Sequence, residues 1–600
     1  MRAPDFWDKN LSVLRENHPA LAQRLEQLEQ DAGAPADDAE IIAASSGDAT
    51  LRVAGVLVHS ARDPVREARR LVDAALVASL ACGAVVILGF GLGYAAEEAA
   101  RRAGGAVVII EKRVDLFRLA LRTRDLSGLF KRSRLSFVLG SDALSLGDAL
   151  SRAGPVRAVI RNRPALSLDG DWAADAEKTV CLWHNKDAVN EATLCRFGKR
   201  WVRNLRANSS AIRDMPGVGA LAGAFDFPIF VVAAGPSLDD IRPHLSALRE
   251  RCLVVAVDTA LSFIQRAGVS ADFALSVDPQ YWNARHLDRA DLEKTCLVAE
   301  SSVYPTTLRS GARATFLCSS HFPLARFFEQ RVGAKGALGS GGSVATSAWD
   351  FARSLLPTAA GAIITAGLDL SYPARKTHFA GALFEERALS EQSRLRPAET
   401  ASFHALRGAA PYYTPAADGG RVLTDSRLAL YAGWFENRAR LACAAGLKNH
   451  TLSRAGRSIA CFEPIDIERV LSLPPRRGEI DRQIERTLQD IMHTWNEDAH
   501  TKARAEAFDG AQQNLAAGLE ELRRLAMQAL ILAETDPRSE LLEQIDRAIA
   551  ANPVRDVAGF LVPRLETLQA RLKTPADKPL ERHRELSILL YRAIYEAACF

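Results

Sequence analysis

Three residues suited to phosphate binding, Gly235, Pro236 and Ser237, directly follow a predicted buried strand over residues 228–234. Glycine permits a tight turn, proline has the backbone angle of a first helical turn, and serine can cap a helix. The helix predicted next would direct its first N–H groups and the positive end of its dipole at an anion. The stretch therefore predicts that the chain turns here around the phosphate of a nucleotide.

Two aspartates occupy the corresponding positions of the next two strands. Asp258 ends a predicted strand over 252–258, and Asp278 ends another over 273–278. Strand carboxyl ends line the ligand crevice of a doubly wound sheet, so Ser237 and both aspartates are expected on one rim. The alternative is that each aspartate only caps the helix that follows it.

A second glycine-rich loop, "GSGGSVATSAWDFA", also precedes a predicted helix. Its residues Gly341, Gly342 and Ser343 form a second helix N-terminus of the kind that binds anions. One helix later another predicted strand ends at Gly367, and Asp369 follows it. These residues are expected to join the same rim.

Tyr372 and His378 lie at the start of residues 372–424, which predict a long irregular insertion. Such insertions in compact domains are usually functional lids or mobile segments. Histidine is the natural proton acceptor near neutral pH, so His378 is a candidate base. The alternative is a histidine that is only solvated.

A third glycine loop, "ILGFGLGYAAEEA", follows a predicted strand near the beginning of the chain. Gly89, Gly91 and Gly93 form the turn, and Glu111 ends the next strand. This is the layout of a dinucleotide or adenosyl-methionine site, in which the carboxylate binds ribose hydroxyls. The alternative, slightly favoured because no catalytic constellation accompanies the loop, is that the glycines only let helix and strand pack closely.

Short apolar runs that alternate with amphipathic helices predict parallel sheets. The fold class is therefore α/β, with two Rossmann-like α/β domains in tandem and an all-helical C-terminal domain. The predicted divisions are a helical segment over 1–60, a Rossmann-like domain over 61–205, a central nucleotide-sugar-binding domain over 206–465 that contains the insertion, and a helical bundle over 466–600.

The composition fits a soluble globular protein of several domains, with 48% apolar and 25% charged residues among 600. A net charge of +4 is too small for a nucleic-acid partner. Nine cysteines without a CxxC pair predict thiols in a reducing compartment. The uncharged stretch 74–96 is better explained by a buried helix and strand than by a membrane span, so a cytoplasmic protein is expected.

The motifs together resemble one family. "AAGPSLDD", "AVDTALSFIQRAGVSADFALSVDPQ", "GSGGSVATSAWDFA" and "ITAGLDLSYPARKTHFAG" look like the central domain of the motility accessory factor (Maf) flagellin glycosyltransferases. "ILGFGLGYAAE" and "VVIIEKRVDLFRLAL" are similar to their N-terminal domain. The resemblance covers roughly residues 50–460. The central block is also similar to bacterial sialyltransferases and to the MptE-like pterin diphosphokinases.

The resemblance implies roles for individual residues. The loop at 235–237 would cradle the CMP phosphate, the loop at 341–343 would lie near the cytidine, and Tyr372 would stabilise the leaving phosphate. His378 is the first candidate for the catalytic base, and His404 is the second. The residues implied to bind the nucleotide sugar are Gly235, Pro236, Ser237, Asp258, Thr259, Asp278, Gly341, Gly342, Ser343, Gly367 and Asp369.

Asp258 and Asp278 depart from the family pattern, because the sialyltransferases carry asparagines there. The resemblance still implies a glycosyltransferase that moves a nonulosonic sugar, of pseudaminic or legionaminic type, from a CMP-activated donor to Ser or Thr hydroxyls of flagellin. It implies no metal and no tightly bound cofactor. The alternatives are ATP-dependent pyrophosphoryl transfer to a pterin and a non-enzymatic flagellin-binding protein.

Overall fold

The computed structural model of the chain describes residues 5–31, 38–76, 84–140, 146–153, 156–357, 361–395, 397–537, 539–563, 565–569, 571–574 and 578–599. The chain divides into two compact units, Met1–Thr193 and Leu194–Phe600. The four-part domain division given above stays a prediction.

The first unit contains an antiparallel sheet and a parallel sheet. Its strands are β1 Ala39–Ala43, β2 Ala49–Val53, β3 Val56–Leu57, β4 Ala84–Leu88, β5 Val107–Glu111, β6 Leu135–Leu139 and β7 Val156–Arg161. The parallel sheet has the order β6-β5-β4-β7. Its central strands β4 and β5 are buried throughout because helices cover both faces of such a sheet. The helices that begin in this unit are Trp7–Asn17, Pro19–Asp31, Pro64–Leu76, Tyr94–Arg102, Val114–Thr123, Ser127–Phe130, Leu146–Ala153, Arg163–Leu166 and Gly170–Ala207.

The prediction that residues 1–60 are helical is wrong in its second half. Two helices are followed by the antiparallel order β1-β2-β3. A turn at Gly47, with φ of +89°, lets the chain reverse between β1 and β2. Thr50 inside β2 donates from its hydroxyl to the carbonyl of His59, which fixes the end of this sheet. Strands this short carry too little periodicity to be recognised from the sequence.

The second unit is built on an eight-stranded sheet in which every neighbouring pair is parallel. The strands are β8 Ile229–Val232, β9 Leu253–Val257, β10 Phe273–Ser276, β11 Cys296–Glu300, β12 Ala314–Cys318, β13 Ala362–Ala366, β16 Lys448–Thr451 and β17 Glu463–Pro464. Their order is β12-β11-β10-β9-β8-β13-β16-β17. β8, β9 and β10 lie within two residues of the bounds predicted for them above. The last two strands of the list were not predicted.

The mixed α/β class with parallel sheets and a helical C-terminal region is confirmed. The arrangement as two tandem Rossmann-like domains stays a prediction. The helices of the second unit before the insertion are Ser209–Asp214, Leu238–Ile241, Leu245–Arg249, Leu261–Arg266, Tyr281–Ala284, Pro323–Val332 and Val344–Leu355. Those after it are Ser426–Ala444, Ile467–Leu471, Arg477–Trp495, Asp498–Thr535, Glu540–Ala551, Arg555–Gly559, Leu565–Gln569 and Pro579–Cys599.

Residues 372–424 are more regular than predicted. They form the helices Leu383–Ser390 and Glu399–Gly408 and an antiparallel hairpin of β14 Tyr412–Pro415 and β15 Arg421–Thr424. The first of these helices has no buried residue, so an apolar stripe could not reveal it. The described part of the chain has no helix long and apolar enough to cross a membrane. Residues 77–83 of the uncharged stretch lie outside the described residues.

Candidate functional site

A cavity of about 200 Å³ lies where β10, β11 and β12 reach their carboxyl ends. The predicted site residues Asp278, Gly342 and Ser343 contribute to its wall. The full lining is Val277, Asp278, Glu300, Cys318, Ser319, His321, Leu338, Ser340, Gly342, Ser343, Val344 and Ser347. The structure thus brings the second glycine loop and one strand-end aspartate to the same cavity.

The second glycine loop is held by the helix it precedes and by an aromatic pair. Ser343 caps helix Val344–Leu355, because its Oγ accepts from the N–H of Ala345 at 3.3 Å. Gly342 has φ of +94°, and a Cβ there would lie 2.6 Å from Cε1 of Tyr431. A Cβ at Gly341 would lie 2.5 Å from Cγ of Trp434. Glycine is therefore required at both positions by the close approach of helix Ser426–Ala444.

Asp278 is the carboxylate that faces the cavity. Its Oδ1 accepts from the N–H of Gln280 at 2.9 Å. Burial raises its pKa, and the nearby charge of Asp258 adds to that rise. The imidazole of His286 lies close enough to Asp278 to favour the charged carboxylate. Asp278 is thus the predicted aspartate that a ligand in the cavity would meet.

Tyr372 belongs to a polar cluster at the N-terminus of helix Ser426–Ala444. Its hydroxyl donates to Oδ2 of Asp425 at 2.5 Å, while Oδ1 of that residue caps the helix by accepting from the N–H of Leu428 at 2.7 Å. Burial and Asp425 raise the pKa of Tyr372 to about 12. The guanidinium of Arg427 lies 3.9 Å from Oδ2 of Asp425 and is close to Tyr372 and Tyr431. The cluster therefore joins Tyr372, through Tyr431, to the second glycine loop.

His378 lies on a loop attached to the end of β8. The N–H of Phe379 donates to the carbonyl of Ala234 at 3.2 Å, and the N–H of Ala380 donates to the carboxylate of Asp239 at 3.1 Å. Burial, followed by the charges of His286 and Arg427, lowers the pKa of His378 to about 4. The imidazole is therefore neutral near pH 7, the state in which it can accept a proton. His404, the second candidate, lies exposed on helix Glu399–Gly408 beside Phe403.

The loop of Gly235, Pro236 and Ser237 differs from its prediction. The N–H of Ser237 donates to Oδ2 of Asp369 at 2.9 Å, and the Ser237 hydroxyl donates a hydrogen bond to the hydroxyl of Ser453 at 2.9 Å. A Cβ at Gly235 would lie 2.2 Å from the Asp369 carboxylate. The Asp369 carboxylate thus accepts the hydrogen bond from the Ser237 N–H, which was expected to bind a phosphate. Ser237 is buried and is not among the residues that line the cavity.

The crevice between β8 and β13, where the strand order reverses, is closed by this contact. The N–H of Gly235 donates to the carbonyl of Gly367 at 2.8 Å, and Gly367 has φ of +68°. A Cβ at Gly367 would lie 2.6 Å from the carbonyl oxygen of Ala233. Ligands commonly bind at such a reversal, whereas the cavity described above lies at the ends of β10 to β12. Asp278 and Ser343 line that cavity, and Ser237 does not.

Asp258 and Thr259 form a buried turn at the end of β9. Oδ1 of Asp258 accepts from the N–H of Thr259 at 2.7 Å, and Oδ2 accepts from the hydroxyl of Ser276 at 2.9 Å. Asp258 is 1% exposed, and its burial raises its pKa to about 6. These contacts hold Asp258 within its own turn and against Ser276, and its side chain caps neither of the two short helices that follow.

The third glycine loop, in the first unit, is filled by the chain itself. The carboxylate of Glu111 accepts from the N–H groups of Phe90 and Arg113 at 2.7 and 2.9 Å. A Cβ at Gly91 would lie 2.4 Å from Nε2 of His59, which accepts from the N–H of Leu92. At Gly93 a Cβ would meet the ring of Phe90, and at Gly89 it would meet Ala165 and Asn162. This geometry favours close packing over a ribose-binding carboxylate.

Three residues of the site were not predicted: His286, Arg427 and Tyr431. None of them lies in a motif quoted in the sequence analysis. A partial signal existed for two of them, because Arg427 and Tyr431 are four residues apart after a capping aspartate and so share one helix face. Over the described ranges, no group of three or more His, Cys, Asp or Glu side chains could hold a metal ion.

Comparisons with known proteins agree with both resemblances. The model of the 6-hydroxymethylpterin diphosphokinase MptE-like family matches residues 200–375. The solved structure of the MAf glycosyltransferase from Magnetospirillum magneticum AMB-1 aligns with a TM-score of 0.55 at 14% identity, over 99% of this chain and 95% of that one. The chain therefore has the fold of that glycosyltransferase.

Curated relatives come from Treponema pallidum (strain Nichols), and they are uncharacterized proteins. One is 37% identical over 244 residues, which are 36% of this chain and 61% of the relative's length. A second is 31% identical over 254 residues, which are 41% of this chain and 86% of the relative. By this second match, the chain belongs to the same family as that uncharacterized treponemal protein.

Proposed function

We propose that this protein is a glycosyltransferase that moves a nonulosonic sugar, of pseudaminic or legionaminic type, from a CMP-activated donor to Ser or Thr hydroxyls of flagellin. The observation that carries the proposal is the grouping of Tyr372, Arg427 and the neutral His378. This group is connected to the cavity wall through Tyr431, which packs on Gly342 and lies near Arg427 and Asp278. The fold shared with the MAf glycosyltransferase supports it. The reaction would take place in the cytoplasm, before flagellin is exported.

The chemistry requires few groups from the protein. The acceptor hydroxyl oxygen forms a bond to the anomeric carbon, the bond from that carbon to the phosphate oxygen breaks, and CMP leaves. In this proposal Arg427 binds the leaving phosphate, and the Tyr372 hydroxyl turns its proton from Asp425 to that phosphate when the donor is bound. His378 takes the hydroxyl proton, for which its neutral state is required.

The donor would occupy the cavity, with its phosphate at the start of helix Val344–Leu355. Ser343 and Gly342 supply polar backbone at that helix N-terminus, where the helix dipole favours an anion. Asp278 would bind hydroxyl groups of the donor, because a carboxylate repels the sugar's own carboxylate. No tightly bound cofactor and no metal are part of this proposal.

A second candidate is pyrophosphoryl transfer from ATP to a hydroxymethylpterin. The match of the MptE-like family model to residues 200–375 favours it, because this range contains Ser237, Asp278, Ser343 and Tyr372. Arg427 and its helix lie outside that range. The glycosyltransferase reading is preferred because it accounts for the whole chain, which aligns over 99% of its length with the MAf structure.

The test is transfer by the purified protein. Unmodified flagellin from a deletion strain is incubated with CMP-pseudaminic or CMP-legionaminic acid, and intact-mass analysis is expected to show additions of one sugar each. His378→Ala should retain CMP binding and lose about 100-fold or more in rate. ATP, magnesium and 6-hydroxymethylpterin form the parallel reaction. A diphosphorylated pterin would replace the proposal with the second candidate, and no product from any mixture would favour a binding protein.

A further inference from the structure

A chain of aromatic rings lies on the surface of the second unit, and we call it the aromatic ridge: Tyr304, Tyr281, Trp282 and Phe384. The ring centroids of Tyr304 and Tyr281 are 5.2 Å apart, and those of Tyr281 and Trp282 are 5.3 Å apart. Three of the four rings are widely exposed, at 38% for Tyr281, 48% for Trp282 and 50% for Phe384. A group of exposed aromatic side chains of this size often marks an interaction site.

Two short segments hold the ridge together. Tyr281 and Trp282 begin helix Tyr281–Ala284, while Phe384 and Arg387 share one face of helix Leu383–Ser390. The guanidinium of Arg387 covers the ring of Trp282 at 4.1 Å. Tryptophan, tyrosine and arginine are the residue types that dominate binding energy at protein interfaces.

The ridge ends at the candidate base. The ring of Phe384 stacks on His378 with a centroid distance of 4.7 Å and an interplanar angle of 30°. The same ring lies 5.6 Å from His286, the neighbour of Asp278. Phe384 therefore joins the ridge to His378 and to the neighbour of Asp278, which makes the ridge continuous with the site.

We propose that the aromatic ridge binds the protein acceptor, as an extended segment whose apolar side chains flank the hydroxyl to be modified. This inference rests on the proposed function for the place of the hydroxyl. The ridge extends over two segments and includes an arginine, a composition and length that suit an extended polypeptide. The neighbouring helix Leu383–Ser390 has no buried residue, so a partner there would gain contacts without displacing any core.

Trp282→Ala tests the ridge away from the catalytic groups. Its side chain is half exposed and caps no helix, so the fold should persist, as circular dichroism would verify. Binding to immobilised unmodified flagellin is expected to weaken about 30-fold, while affinity for CMP stays unchanged within about twofold. Trp282→Phe should recover most of the binding. Ile531→Ala, an equally exposed apolar residue on helix Asp498–Thr535, is the matched control and should bind as wild type does.

The outcomes separate the two proposals. If Trp282→Ala binds flagellin as tightly as the wild-type protein does, the proposal that the ridge binds the acceptor is overturned, whether or not sugar transfer is observed. A loss of CMP affinity in the same variant would overturn it too, by placing the ring at the donor. Failure of the wild-type protein to transfer sugar, with flagellin binding that depends on Trp282, would overturn the proposed function and retain the docking surface.

Discussion

Three aspartates that follow strands of one sheet have different surroundings. Asp258 is fully buried and bonded to its own turn, and Asp369 is buried against the N–H of Ser237. Asp278 alone lines the cavity. Burial and bonding within the protein therefore leave one of the three for contact with a ligand.

Asp369 gives a prediction for pH. Burial, with the charges of Asp240 and Asp239, raises its pKa to about 6 from an ordinary value near 3.8. A raised carboxyl pKa means that the folded state holds its proton more tightly, so the ionised group reduces stability above pH 6 and this cost vanishes as pH falls. Asp369→Asn keeps an acceptor for Ser237. We expect it to be more stable than wild type by up to about 3 kcal/mol at pH 8, and by less at pH 5.

Thermal unfolding midpoints at the two pH values measure this difference. Asp226→Asn, which changes an exposed carboxylate, is the control and should shift neither midpoint. A variant of Asp369 that is less stable than wild type at both pH values would mean that the ionised carboxylate stabilises the loop at 235–237.

Arg427 gives a prediction for donor binding. Its exposed guanidinium, next to Tyr372, is the cation placed to pair with a phosphate. Because a charge-assisted hydrogen bond contributes about 1.5–3 kcal/mol, Arg427→Ala should weaken CMP binding about 10- to 100-fold in calorimetry. Arg427→Lys should recover only part of the affinity, since lysine lacks the planar fork. Arg547→Ala removes only an exposed ion pair with Glu543 on a C-terminal helix, so this variant should bind CMP as wild type does. Equal affinity in Arg427→Ala would move the phosphate elsewhere.

At the scale of elements, two helices fix the glycine loop between them. Helix Val344–Leu355 begins at Ser343, and helix Ser426–Ala444 presents Tyr431 and Trp434 to the loop. Gly342→Ala should therefore displace Tyr431, in addition to straining a backbone with φ of +94°. We expect a cost of about 1–3 kcal/mol in stability and a matching loss of CMP affinity.

Gly433→Ala is the matched control on the same helix. A Cβ there meets nothing within 4 Å, so alanine should raise helix stability by up to about 1 kcal/mol. The unfolding midpoint and CMP affinity of both variants are measured together. Unchanged CMP binding in Gly342→Ala would remove this loop from the donor site.

How much of the structure could be predicted from the sequence depended on local signals. The strands β8, β9, β10 and β13 were predicted because each is a short, mostly apolar run between helical or turn segments. β17 has two residues and the helix Leu383–Ser390 has no buried face, so neither leaves a periodic signal. The site was only half predicted, because His286 and Arg427 reach it through tertiary packing, and because a carboxylate at Asp369 fills the space expected for phosphate.

At the scale of the whole molecule, two similar-looking glycine loops have different surroundings. In the loop of the first unit, backbone N–H groups donate to the Glu111 carboxylate and to the His59 imidazole. Burial lowers the pKa of His59 to about 3. The loop at 341–343 borders a cavity instead. A glycine pattern alone does not distinguish these cases, since close contacts require glycine in both loops.

Ligand binding to the complete chain should follow this difference. CMP at about 100 times its dissociation constant is expected to raise the unfolding midpoint by about 5 °C, because it binds only the folded state. NAD and adenosyl-methionine should give no shift, because Glu111 and His59 already occupy the loop that would hold them. A shift with either, abolished by Glu111→Gln, would show that the first unit opens to admit a nucleotide. A shift with ATP and magnesium but not with CMP would move the second unit from sugar transfer to pyrophosphoryl transfer.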